Sequence, residues 1–582
     1  MIVGKNVNKF YKKYWYFFLL GILALVLVNY FQLLLPKLTG EIITGLSDEN
    51  LAKGLLTEER LQEILQTLLI VLAVMFSGRF LWRICILGTA SRIEADLRRD
   101  MFYKALKLSS RYYNENKTGA LMALYTNDLF TIKECFGFGV VMLVDAVVLG
   151  TFAFIFMIRT NVLLTLLSLI PLIALAGAGI VIERFMDAKW DERQKAFEDL
   201  SDFTQENFSG ISVIKAFVKE GLELHEFRKI NKKNVEKNVQ FVRYSTILDI
   251  CTTVFISSVG AIILGFGGYL VFKGTMDIGE LSAFFAYFGT LTWPMMAIAF
   301  LINLRSQASA SLKRINGLLN QPVEITNDNC INKDIQGKIT FKNFTFNYPD
   351  SPNKVLNDIS FEIETGMNVG IIGKTGSGKT TLVNSLLRLY NIDHGQIFID
   401  DTDIMDINYI DVRNAIGYVP QDNFLFSDTV LNNIVFSGDY EFEKIKEAAI
   451  FSDVEENINE FKDQYETMVG ERGVTLSGVQ KQRISISRAV IKDPKILILD
   501  DSVSAVDTKT EETIINNIKK TRQGKTTILI AHRISTVKDL DKILLIDEGK
   551  IVAYGSHDEL MKNCKEYYDM FELQRLEDEV EK

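Results

Sequence analysis

Six stretches of this sequence, at about 15–36, 66–88, 138–158, 161–182, 249–272 and 280–304, are apolar over the length that a helix needs to cross a bilayer core, roughly 20 residues. Six crossings return a chain to the side on which it starts. Charge identifies that side. The segment between the second and third runs carries Arg92, Arg98, Arg99, Lys104, Lys107, Arg111, Lys117 and Lys133, and the one from Arg184 to Arg243 is similarly charged. Basic segments remain in the cytosol, and Lys5, Lys9, Lys12 and Lys13 precede the first run. The opposite connections, Arg159-Thr160-Asn161 and 273–279, are short. The first run is longer than the apolar core of a signal peptide and ends in Pro36-Lys37, so it reads as a retained anchor. The expectation is a multi-pass protein of the cell membrane, in contact with lipid, with a cytosolic N-terminus.

The two inner segments are too long to be structureless. Phe197, Leu200, Phe203, Phe208, Ile211 and Ile214 recur at helical spacing among charges, which extends the membrane helices into the cytosol. Near Pro322 the composition changes, and from Ile339 onward short β-branched runs alternate with amphipathic segments. That alternation predicts a parallel sheet covered by helices. The expected organisation is a six-helix all-α transmembrane domain over 1–320, a linker over 321–338 and an α/β domain over 339–582. A net charge of −9 gives no footprint for nucleic acid. Five cysteines without C-x-x-C pairing suggest neither a zinc site nor a disulfide framework.

After the apolar strand Asn368–Ile372 comes Gly373-Lys374-Thr375-Gly376-Ser377-Gly378-Lys379-Thr380, then a helical run from Thr381. This is a phosphate loop in its strand, loop, helix setting. The glycines let backbone N–H groups converge on phosphate oxygens at a helix N-terminus, Lys379 reaches the β and γ phosphates, and the Thr380 hydroxyl suits Mg²⁺. Further on, the strand Lys495–Leu499 ends in Asp500, the position of a carboxylate that holds Mg²⁺. ATP and Mg²⁺ are the cofactors this pattern calls for.

Around these residues the chain resembles the ABC transporter family. Leu476-Ser477-Gly478-Val479-Gln480 is similar to the family signature, Gln421 in Val419-Pro420-Gln421 to its glutamine loop, and Ala531-His532-Arg533 to its switch histidine. Ser504-Ala505-Val506-Asp507 resembles the loop that bridges two ATP sites, and Glu471-Arg472-Gly473 a motif of exporters. The six-run half, with Gly119–Asp128 and Glu206–Phe217, looks like the exporter type. The resemblance implies that Tyr348 stacks on adenine, although an aromatic before proline is ordinarily a packing residue. It also implies that Gln421 contacts Mg²⁺, that His532 donates to the γ phosphate, and that Ser477, Gly478, Val479, Gln480 and Asp507 face nucleotide across a dimer. His225, His394 and His557 are expected to be surface or packing residues.

Two departures from the family stand out. Where competent members carry the glutamate that orients the attacking water, this chain has Asp501. The aspartate is one methylene shorter, about an ångström, whereas general-base work needs contact at about 2.6–3.2 Å. Slow hydrolysis is the expectation. Val479 replaces a glycine, and a β-branched residue there either crowds the nucleotide or is an accommodated variant. An aspartate at the glutamate position resembles one chain of bacterial heterodimeric multidrug exporters. The implied partner is a second half-transporter and the implied substrates are hydrophobic or amphipathic small molecules. A homodimeric lipid exporter and a non-transporting regulator or ATP-gated channel are the alternatives.

Arg79, Arg83 and Asp145 fall inside apolar runs, where ionisable groups face a bundle interior or a wet cavity. Similar depth suggests an ion pair between Arg79 and Asp145, or a polar substrate path. Pro171 and Pro294 are candidate breaks or kinks.

Overall fold

The computed structural model describes residues 5–46, 57–349, 351, 353–436, 438–470, 473, 475–502 and 508–581. Two compact units are present: Met1–Lys104 with Gly119–Asn320, and Ala105–Thr118 with Gln321–Lys582.

The first unit is helical. Its longest helices, Val162–Ser209 and Glu220–Phe272, have 48 and 53 residues and pack against each other. At a rise of about 1.5 Å per residue each runs for about 70–80 Å, well beyond the roughly 30 Å of a bilayer core. Helix starts are set by short polar side chains. Asn161 accepts from the Leu164 N–H, and Asp277 forms a reciprocal cap with Glu280 ahead of Ile278–Leu319. The helical segments run through Pro171 and Pro294, so neither proline breaks its helix. Among the described residues, three π turns interrupt the α-helical pattern, at Arg83–Leu87, Leu124–Asp128 and Asp145–Leu149.

Among the described residues, five helices are long and apolar enough to cross a membrane: Asn6–Gly45, Glu58–Ala105, Thr118–Thr160, Glu220–Phe272 and Ile278–Leu319. The remaining predicted run, 161–182, is represented by the shorter apolar stretch Val162–Leu175. The side chains of Ala176, Gly179 and Ile180 within it lie outside the described residues.

The expected pairing of Arg79 with Asp145 does not form. Both Asp145 oxygens accept hydrogen bonds, one from Asn29 Nδ2 and one from Trp293 Nε1, each at 2.9 Å. Arg79 instead reaches Gln32 Oε1 at 3.4 Å, and Arg83 lies over the Trp82 ring. Asp145 is buried where the helices Lys5–Gly45 and Ile278–Leu319 meet its own, and both of its partners come from those two helices.

The second unit is built on two sheets. Strands β1 (Ile339–Phe346), β2 (Leu356–Ile363), β4 (Ile397–Ile399) and β5 (Thr402–Asp403) form an antiparallel sheet in the order β2-β1-β4-β5. The second sheet has the order β10-β9-β3-β8-β7-β6, from β3 (Asn368–Ile372), β6 (Ile416–Val419), β7 (Ile496–Asp500), β8 (Thr526–Ile530), β9 (Lys542–Asp547) and β10 (Lys550–Gly555). All of its pairings are parallel except β9 with β10. Every residue of β7 and β8 is buried, as expected of a central parallel strand covered on both faces. Residues 105–118 join this unit through Ser109, which donates to Glu324 at 2.6 Å, and Asn114, which donates to the Tyr390 hydroxyl at 3.2 Å.

Candidate active site

In a parallel sheet the loops that leave the carboxyl ends of neighbouring strands converge, and ligands bind there. Here β3 leads into the phosphate loop, β6 to Gln421, β7 to Asp501 and β8 to His532. The register aligns these ends: Ile371 and Asp500 both lie opposite Ile530, and Val419 lies opposite Leu499. Four segments far apart in sequence therefore open on one cavity of about 260 Å³, lined by 375–381, Gln421, Asp500, Asp501 and His532 together with Val355 and Ile530.

The loop's conformation depends on two of its glycines. Gly373 has φ +157°, and a Cβ there would stand 2.0 Å from the Ile546 carbonyl oxygen. Gly378 has φ +99°, where a Cβ would meet Leu356 at 2.6 Å. The loop ends in the helix Lys379–Leu386. Lys379 is buried, and its ammonium donates to the Gly373 and Lys374 carbonyls at 2.8 and 2.9 Å. Burial lowers the Lys379 pKa, with Asp501 and Asp500 opposing that shift. Thr380 Oγ1 donates to Asp500 Oδ1 at 3.3 Å, and the Tyr418 hydroxyl approaches Oδ2 at 3.5 Å. Asp500 is only 1% exposed, and burial raises its pKa against the bond from Thr380.

Asp501 takes a left-handed backbone conformation at φ +48°, which aspartate tolerates better than most residues. Its N–H donates to the Ile530 carbonyl at 3.0 Å and its carbonyl accepts from Gln482 Nε2 at 3.3 Å. Its carboxylate accepts from Gln421 Nε2 at 3.2 Å and lies 3.7 Å from His532 Nε2.

The donors and acceptors fit a magnesium nucleotide. Ser377 Oγ is buried without a hydrogen-bond partner among the described residues, on a loop whose amide-rich turn can meet phosphate oxygens. Thr380 and Asp500 offer paired hard oxygens of the kind Mg²⁺ takes.

The other residues singled out from the sequence lie elsewhere. Tyr348 is outside the lining of this cavity; its hydroxyl bonds Thr381 Oγ1 at 2.9 Å and its ring packs edge-on against Phe346 and Tyr390. Lys374 reaches outward to Asp547 at 3.1 Å. Ser477 and Gln480 form a reciprocal cap at the start of the helix Gly478–Val490, with half-buried Val479 in its first turn. Gly478 lines a neighbouring cavity of about 460 Å³ that shares Gln421, Asp501 and His532. Asp507 and the rest of 503–507, with Glu471 and Arg472, lie outside the described residues. Tyr418 and Gln482 were not anticipated. Tyr418 could have been found from its place in the strand that delivers Gln421; Gln482 carries no such signal.

A membrane-type helical unit joined to a phosphate-loop ATPase unit defines an ATP-driven membrane protein. Comparison with known proteins gives the family. The model for the ABC transporter transmembrane region matches residues 18–295, and the ABC transporter model matches 356–504. The sequence is 37% identical over 580 residues to the "Probable multidrug resistance ABC transporter ATP-binding/permease protein YheI" of Bacillus subtilis (strain 168), covering 99% of this chain and 98% of that one. It is 32% identical over 578 residues to the "Multidrug resistance-like ATP-binding protein MdlA" of Escherichia coli (strain K12), covering 98% and 96%. A solved bacterial Atm1-family ABC exporter with ATP bound is similar at a TM-score of 0.79 and 25% identity, over 95% of this chain and 98% of that one. The chain belongs to the ABC transporter family. It is of the exporter type, with membrane and ATPase regions fused, and its ATPase is coupled to transport.

Proposed function

We propose that this chain is the slow-site half of a heterodimeric exporter of hydrophobic or amphipathic compounds, with six membrane crossings within 1–320, a linker at 321–338 and the ATPase domain at 339–582. The multidrug names of the relatives support the substrate class. Lys379 and the loop amides hold the ATP phosphates, Tyr348 takes the adenine, and Thr380, Asp500 and Gln421 hold Mg²⁺. Bound there, Mg²⁺ neutralises charge on the β and γ phosphates. His532 donates to the γ phosphate. Ser477, Gly478, Val479, Gln480 and Asp507 serve the partner's nucleotide.

The observation that carries the heterodimer is Asp501. It stands where the family carries the glutamate that orients water, and one of its oxygens, Oδ2, lies within reach of both Gln421 and His532. One methylene more would carry the carboxylate further into the cavity that Asp501 already lines. A partner with glutamate there would supply the fast site. Replacing the partner's glutamate with glutamine should cut steady-state ATPase in the co-purified complex by roughly 10², whereas Asp501→Asn should do much less. Equal losses, or a homodimer of this chain with full drug-stimulated activity, would refute the asymmetry.

A second reading is lipid export by a homodimer. An ATP-dependent lipid A-core flippase of Syntrophus aciditrophicus (strain SB) is 34% identical over 500 residues, 84% of this chain and 82% of that one. Stimulation of ATPase by lipid and not by amphipathic drugs in reconstituted vesicles would favour it.

A further inference from the structure

His532 stands at the mouth of the cavity on the loop that follows β8, and its side chain is 37% exposed. A cavity of about 430 Å³ lies on the other side of this loop, lined by His532, Arg533, Phe571 and Gln574 among others. Two hydrogen bonds reach the loop from the final helix beside this cavity. Gln574 Nε2 donates to the His532 carbonyl at 2.8 Å, and Gln574 Oε1 accepts from the Ile534 N–H at 2.8 Å. One side-chain amide thus closes a ring with the backbone on both sides of Arg533. Ile534 is buried and begins a short helix whose first N–H has no cap from its own neighbour.

The amide is held from behind. Gln574 lies in the helix Lys565–Glu581, three residues after Phe571 and seven after Tyr567, the spacing that places all three on one helical face. Tyr567 is fully buried and hydrogen bonds to His557 Nδ1 at 2.7 Å. Met570 and Phe571 pack on the same core that contains Ile534 and Val537. The helix is anchored by apolar packing and directs one polar group at the loop.

We infer that Gln574 is a positioning residue for His532, so that the helix Lys565–Glu581 sets where the histidine meets the γ phosphate. This rests on the reading of His532 as the γ-phosphate donor. Gln574 itself touches no reacting atom.

The test uses the full-length chain in the dimer with which it purifies, with Mg-ATP and vanadate as probes. Gln574→Met keeps the side chain's bulk and removes both hydrogen bonds. Two measurements are made: hydrogen exchange at the Ile534 amide, and the rate at which nucleotide becomes vanadate-trapped on this chain. The expected result is exchange faster by about tenfold and trapping slower by about 3- to 30-fold, the scale of two lost hydrogen bonds, with half-saturating ATP unchanged. In a His532→Ala background the same substitution should slow trapping no further. Gln574→Glu keeps an acceptor for the Ile534 N–H and loses the donor to the His532 carbonyl. It should preserve Ile534 protection while still slowing trapping. Unchanged exchange in Gln574→Met, unchanged trapping, or equal slowing without His532 would overturn the assignment. If ATP failed to label the unaltered chain at its phosphate loop, the ATP-site reading would fall, and the exchange result alone would decide the clamp.

Discussion

The indole N–H of Trp293 donates to the Asp145 carboxyl at 2.9 Å, across 148 residues of sequence. Asn29 donates to the other oxygen from a third helix, so one carboxyl ties three helices together in the membrane unit. Asp145→Ala strands both donors and should destabilise the protein by about 1–3 kcal/mol. Arg79→Ala should be nearly silent, because its contact with Gln32 is long and exposed. Thermal unfolding in detergent of both single variants and the double variant checks this. A double variant more stable than Asp145→Ala alone would restore the ion pair.

Gly40 and Gly279 allow two helices to touch backbone to backbone. A Cβ on Gly279 would stand 1.9 Å from the Gly40 carbonyl oxygen and 2.2 Å from Thr44 Oγ1. Gly279→Ala should therefore force the helices apart and lower stability by about 1–3 kcal/mol. Gly289→Ala, in the same helix with no neighbour within 4 Å, should change little. Equal melting temperatures for the two variants would contradict the close approach.

Lys379→Ala removes the ammonium that holds the Gly373 and Lys374 carbonyls. Two effects should appear together: loss of azido-ATP labelling on this chain, and loosening of the nucleotide-free loop, read as faster proteolysis near 373–379. Intact labelling would remove the phosphate loop from nucleotide binding.

Asp500 gives a pH-dependent test. Burial raises its folded pKa above the unfolded value, so the folded state is favoured while the carboxyl is protonated, and this contribution is lost as pH rises through the folded pKa. Asp500→Asn removes the titration. In the absence of Mg-ATP it should raise the melting temperature at pH 7, and the gain should shrink as pH falls toward the ordinary carboxylate range near about 4. With Mg-ATP present the order should reverse, because the variant loses a metal ligand. A gain that does not vary with pH would show that the buried charge is not its source.

How much of this was legible in the sequence depended on whether the relevant contacts are local. The phosphate loop is continuous, so its strand, loop, helix pattern could be read directly from the sequence. Asp500 could be read from the apolar strand that it ends, whereas Gln421, Asp501 and His532 were legible only through the resemblance to the family's motifs; parallel pairing of β3, β6, β7 and β8 is what brings the four together. Asp145 was expected to pair with Arg79 and instead accepts from Asn29 and Trp293. Counting residues from a membrane boundary gives height but not the direction in which a side chain points around the helix. Asp128, which pairs with Arg314 and Ser311 across more than 180 residues, left no sequence signal, since neither its spacing nor its composition marks the contact. Gln574 is likewise an ordinary glutamine until the final helix packs behind the histidine loop.

The π turns give single-residue length changes an uneven effect along this chain. A π turn absorbs one surplus residue, so the helix beyond it keeps the facing it would have without the insertion. Deleting a residue within 145–149 would convert that turn to an ordinary α turn and leave Gly150–Thr160 facing as it does now. The same deletion inside 150–160 would rotate everything after it by about 100°. Deletions of one residue should therefore be tolerated at Arg83–Leu87, Leu124–Asp128 and Asp145–Leu149, and eliminated by selection between them.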